Sequence, residues 1–81
     1  MIISIVGMKP GEVGTVTDIQ GGQEVTRRIQ GMGIRIGKKI EKQGSHFWRG
    51  PQRVLIDSFK VAIGFGMAEK VFIKVERNGN K

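Results

Sequence analysis

The sequence has no cysteine and no tyrosine, a single histidine and a single tryptophan, and half as many acidic as basic side chains. Each scarcity excludes something. Without cysteine there are no disulfides, no thiolate metal sites and no thiol nucleophile, so the fold must stand on packing, as suits a reducing compartment. One histidine, His46, leaves Ser4, Ser45 and Ser58 without a second histidine to act as base, which argues against nucleophilic catalysis. The carboxylates Glu12, Asp18, Glu24, Glu41, Asp57, Glu69 and Glu76 are scattered singly, so no convergent ferrous-type ligand set is visible and no cofactor or metal is expected. Long hydrophobic runs are also missing. The apolar start, Met1 to Val6, is too short for a membrane span and lacks the basic region and cleavage site of a secretory signal. A soluble, cytoplasmic chain is expected.

What is present is 81 residues with 14 Lys and Arg against 7 Asp and Glu, a formal net charge of +7. That length allows one small domain, and the charge favours acidic partners: a nucleic acid, an anionic membrane face or an acidic protein surface. The basic residues are spread along the chain, with local groups only at Arg27-Arg28 and Arg35-x-x-Lys38-Lys39.

The chain is organised around residues 27–37. Val25, Ile29 and Met32 fall at i, i+4 and i+7 on one helical face, with Arg27 and Arg28 at its edges. Gly33 suits the residue just past the helix, and Ile34 could then fold back on Ile29. Ile34, Ile36 and Ile40 near-alternate around a turn at Gly37, so the chain is expected to leave the helix as strand on the same apolar core. Ahead of this joint, residues 2–6 read as a strand ending near Met8, Lys9-Pro10-Gly11-Glu12 as a turn, and Val13 to Ile19 as a second strand with Gly14 at a bulge or a close backbone approach. The helix spans Gln23 to Met32. Lys38 to Gln43 continues as strand, with fraying expected at Lys42. Residues 43–51 form a loop holding Phe47, Trp48, Arg49, Gly50 and Pro51. Strands at Arg53–Asp57 and Phe59–Ile63 around a tight turn at Ser58, a helical turn near Met67, and a last strand at Val71, Ile73 and Val75 follow, with a disordered tail from Glu76 to Lys81. Short strands with one inserted helix predict a mostly β domain over 1–75, a small bent sheet closed or nearly closed into a barrel.

Five separated pieces also carry a family resemblance. Arg28-Ile29-x-x-Met32-Gly33-Ile34-x-x-Gly37 resembles the Arg-Leu-x-x-Met-Gly-Ile/Leu-x-x-Gly signature of the FeoA family. Met8-Lys9-Pro10-Gly11-Glu12-x-Gly14-x-Val16-x-x-Ile19 lies upstream, and Gly50-Pro51, Val61-Ala62-Ile63-Gly64 and Ala68-x-x-Val71-x-Ile73-x-Val75 lie downstream, in the family's order. The resemblance implies an SH3-like barrel and a non-enzymatic accessory role in ferrous-iron uptake, with the cytoplasmic face of the FeoB permease as partner.

Two features, one glycine-rich and one aromatic, have plain readings beside the functional ones. Gly31-x-Gly33-x-x-x-Gly37 has one residue too many for a dinucleotide fingerprint and follows a helix instead of opening one, so helix capping explains it better. No G-x-x-x-x-G-K-[ST] run is present, so the chain should not hydrolyse nucleotides. Phe47, Trp48 and Arg49 have the composition of a protein interface, or they fold over an open barrel end. The candidate partner-binding residues are thus Arg27, Arg28, Met32, Arg35, Phe47, Trp48 and Arg49, and the structural positions Pro10, Gly11, Gly33, Gly37, Gly50 and Pro51. The rival reading is a small basic barrel that binds nucleic acid, or a relative of the barrel domain of metal-dependent repressors. The lack of aromatics spread along strands and of a recognition helix counts against nucleic acid. Self-association is left open.

Overall fold

A computed structural model describes residues 1–45 and 49–76. Its strands are β1 (Ile2–Ser4), β2 (Val13–Ile19), β3 (Lys39–Ser45), β4 (Gln52–Ile56), β5 (Phe59–Ile63) and β6 (Val71–Val75). Two helices interrupt them, α1 (Gln23–Gly31) and α2 (Phe65–Ala68). The strands form one antiparallel sheet in the order β1-β6-β2-β3-β4-β5. Among the described residues β1 and β5 do not pair, so hydrogen bonding leaves the bent sheet open at those two ends.

Alternation explains most of the strands. In β4, Gln52, Val54 and Ile56 are buried while Arg53 is exposed, and in β6, Val71, Ile73 and Val75 are buried. Their inward apolar residues join Ile5, Val16, Ile29, Ile34, Ile40, Ile63 and Ala68 in one core. Two register shifts bend the sheet, one between Val16 and Asp18 against β6 and one between Lys42 and Gly44 against β4. The first lies past Gly14, so Gly14 is not at the bulge. It is instead a point of close approach, where a Cβ would stand 2.7 Å from the Lys74 carbonyl oxygen and 2.9 Å from Val75 Cγ1.

The first strand is shorter than its β-branched residues suggest. After Ser4 the chain tightens into a 3-10 turn, Ile5–Gly7, which drops Ile5 into the core. The following turn is held by the Glu12 amide donating to the Lys9 carbonyl at 2.9 Å and the Lys9 amide donating to Glu12 Oε1 at 2.7 Å, with Gly11 at φ 90°.

At the joint, α1 ends at Gly31, Met32 keeps right-handed helical angles, and Gly33 turns the chain at φ 92°. The Gly33 amide donates to the Gln30 carbonyl at 2.9 Å, satisfying one of the helix's terminal acceptors. Ile34 then enters the core beside Ile29. Strand does not resume at once: Arg35 to Lys38 forms a turn closed by the Lys38 amide on the Arg35 carbonyl at 3.0 Å. That turn is docked on β2 by the Gly37 amide to the Val16 carbonyl, 2.8 Å, and the Val16 amide to the Lys38 carbonyl, 2.9 Å. A turn breaks the period of two, and Ile36, expected in the core, is 64% exposed.

The β4–β5 hairpin closes through Asp57 and Ser58, both at positive φ (50° and 72°), the mirror-image turn whose twist matches that of the strands.

Candidate partner-docking surface

The helical period decides which residues of α1 are available. Ile29 is buried and Val25 packs on the core, so Arg27 falls on the far side and Arg28 on the flank, and both are exposed. Arg35 is exposed in the turn that follows, and Met32 is half-buried against the core between them. The structure therefore places three guanidinium groups on one continuous stretch, the outer side of α1 and its exit. Arg27 also lines a shallow groove of about 310 Å³ with Gly21, Gln23, Thr26 and Gln30. Without a cap side chain at Gly22, α1 depends for its stability on the buried side that fixes this presentation.

Arg49 belongs to another segment of the chain. It lies in the β3–β4 connection at φ 64°, with its guanidinium 5.8 Å from the centroid of the Phe65 ring at the start of α2. Gly50 and Pro51 lead into β4, where buried Gln52 donates its side-chain amide to the Gly50 carbonyl at 2.9 Å. Phe47 and Trp48, like His46, lie outside the described residues, as does the tail from residue 77.

One charged group has moved the other way. Lys42, expected to fray, is 2% exposed and pairs with Val54 in the ladder. Its Nζ donates to the carbonyls of Ile5 at 2.8 Å and Met8 at 3.0 Å, tying β3 to the ends of the 3-10 turn. Burial pushes its pKa below the ordinary lysine value, with the Glu12 carboxylate partly opposing the shift. The sequence held a signal: Lys42 follows Ile40 by two residues, so in a strand both must face inward.

A second cation is spoken for on the surface, where Lys38 forms an ion pair with Asp57 and links the Arg35–Lys38 turn to the hairpin turn. Among the described residues no three histidine, aspartate or glutamate side chains come together as a metal site, and no helix is long and apolar enough to cross a membrane.

Comparison with known proteins agrees with this architecture. The model of the FeoA domain family matches residues 3–75. The crystal structure of an iron uptake regulatory protein (FeoA) is 29% identical with a TM-score of 0.85, over 94% of this chain and 99% of that one. An FeoA-like protein from Clostridium acetobutylicum gives a TM-score of 0.84 at 19% identity, covering 95% of this chain and 90% of that one. A manganese-dependent transcriptional repressor also gives 0.84 at 21% identity, but over 93% of this chain and only 42% of the repressor, a likeness of fold to one part of a larger protein. No curated protein matches. The fold is the SH3-like one of these relatives, and with nearly its whole length matched by the family model, the chain belongs to the FeoA domain family, whose association is with ferrous-iron transport.

Proposed function

We propose that this protein is a non-enzymatic accessory domain of ferrous-iron uptake that works by docking on the cytoplasmic part of an FeoB-like permease. Family membership supplies the process. The observation that carries the docking mode is the run of exposed guanidinium groups at Arg27, Arg28 and Arg35, set on α1 and its exit with Met32 beside them. Arginine and methionine are interface residue types, the first for multidentate pairing with carboxylates and the second for adaptable apolar contact. Phe47, Trp48 and Arg49 are assigned to the same task on residue type. The domain acts by contact: it has no phosphate loop with which to hydrolyse a nucleotide itself, no cysteine and one histidine.

Isothermal titration of the purified protein into the cytoplasmic part of the permease tests this. Binding is expected, and reversing charge at Arg27, Arg28 and Arg35 together should weaken it at least about a hundredfold with the melting temperature unchanged, the scale of several lost charge contacts. Absence of binding, or equal binding by the charge-reversed variant, overturns the docking mode. Random-sequence DNA in the same assay separates the rival reading, because phosphate-driven binding falls log-linearly with salt. Tight DNA binding at physiological salt would overturn the assignment.

A further inference from the structure

The sheet's two ends differ. β1 is three residues long and passes directly into the 3-10 turn, whose Ile5 carbonyl is occupied by Lys42. β5 has five residues and, among the described residues, β4 as its one hydrogen-bonded neighbour. Register then fixes which backbone groups it leaves over. Ile56 and Phe59 flank the two-residue turn and so exchange both backbone bonds, and alternation makes Val54–Val61 and Gln52–Ile63 the other bonded pairs. The amides and carbonyls of Lys60 and Ala62 therefore face away from β4, out of the edge.

The side chains around that edge have one sign. Lys60, Val61 and Ala62 of β5, Arg53 of β4 and Gln43 of β3 line a groove of about 290 Å³ with no carboxylate among its described lining residues. Asp57, at the turn, is held by Lys38. Glu41 shares a row with Lys60 but lies two strands in, with Leu55 between them. At the start of the strand Phe59 is 72% exposed, the largest such value among the large apolar side chains of the described residues. Edge lysines commonly discourage indiscriminate strand pairing, and the same charge makes an edge selective for an acidic strand. Two copies meeting here would set Lys60 and Arg53 against their own kind, which like-charge repulsion opposes.

We infer that the β5 edge receives an extended, acidic segment of a partner protein as an added strand, its backbone pairing with Lys60 and Ala62, its carboxylates meeting Lys60 and Arg53, and an apolar side chain packing on Phe59. The inference rests on the docking reading above and gives it a second contact, at the β5 edge.

A nitrogen-15 NMR titration with a capped peptide of alternating Glu and Val tests it. The expected result is shift changes confined to β5 and its neighbours, with slowed hydrogen exchange at the Lys60 and Ala62 amides. Affinity should fall about tenfold or more for Lys60→Glu and for the Lys-for-Glu peptide. Ala62→Pro removes an outward donor without touching the β4 ladder and should abolish binding. Should that variant fail to fold, the Glu–Val peptide methylated at alternate amides makes the same test on the unaltered protein, and it should not bind. No binding up to millimolar peptide, equal binding of the basic or methylated peptide, or shifts elsewhere overturn the inference. So does prior protection of the Lys60 and Ala62 amides in the free protein, which would give the edge to the chain itself or to a second copy. Permease binding that survives Lys60→Glu and Ala62→Pro overturns the edge while sparing the docking reading. Peptide binding with these sensitivities, in a protein that ignores the permease, does the reverse.

Discussion

Replacing Lys42 with methionine keeps the length and apolar stem of the side chain and removes only its ammonium, which makes it the sharpest test of how the fold is closed. The Met8 carbonyl would lose the donor it has among the described residues, and the Ile5 carbonyl would keep only the Met8 amide at 3.1 Å. An orphaned buried acceptor and a lost charged hydrogen bond together cost about 3–5 kcal/mol. Removing the ammonium returns part of this, because its desolvation ends, and a net loss of about 2 kcal/mol is expected. For a domain of this size that lowers the melting temperature by roughly 8–16 °C. Circular dichroism during heating reads it directly.

The pH dependence has a definite sign. Lys42 has a lowered pKa in the folded protein, so between that value and the ordinary 10.5 the unfolded chain binds more protons. Stability from this group therefore rises with pH through that window and is flat below it. The methionine variant lacks the effect, so the gap between the two proteins should widen from neutral pH toward pH about 10. A variant as stable as the parent at neutral pH would refute the role given to the ammonium, and a gap that narrows on going alkaline would refute the lowered pKa, because it would mean that the carbonyl bonds outweigh the desolvation.

Three further substitutions have graded expectations. Gly14→Ala forces a Cβ against the Lys74 carbonyl and Val75, and should cost about 3 kcal/mol or prevent folding, as read by urea denaturation. Gly33→Val meets open space but a φ of 92°, so backbone strain alone should remove about 1–3 kcal/mol, and Gly33→Asn clearly less. Asp57→Asn breaks the exposed ion pair with Lys38 and should change stability by less than about 1 kcal/mol, since such pairs are screened.

Local patterns made much of this fold legible. The bounds of β2, the alternation of β6 and the reversal at Ser58 follow from β-branched residues at a period of two, and the exposure of Arg27 and Arg28 follows from the helical period that buries Ile29. The misses arise where a distant partner decides. Ile36 leaves the core because the Gly37 amide and Lys38 carbonyl pair with Val16, some twenty residues away, before β3 begins. The strand at Lys42 does not fray, because carbonyls near the N-terminus receive its charge, and β3 runs through a bulge to Ser45, beyond the loop boundary that Gln43 and Gly44 suggest. The edge at β5 is hidden for a related reason: it is an end strand only because β6 inserts between β1 and β2, a choice written in no single segment.

The formal charge of +7 accordingly overstates what a partner meets. Lys42 is inside, and Lys38 is matched by Asp57, so neither steers an approaching protein strongly. The cations left to do so at the two proposed contacts are Arg27, Arg28 and Arg35 at the outer side of α1, and Arg53 and Lys60 at the β5 edge. Exposed charges act over about 8 Å at physiological ionic strength, so each of them attracts chiefly the carboxylates near its own site. For the Glu–Val peptide at the β5 edge, added salt should therefore slow association, while the strand pairing and the Phe59 contact, which depend little on charge, hold the dissociation rate nearly constant. A dissociation rate that climbed steeply with salt would place the binding energy in the ion pairs and remove the added strand from the account.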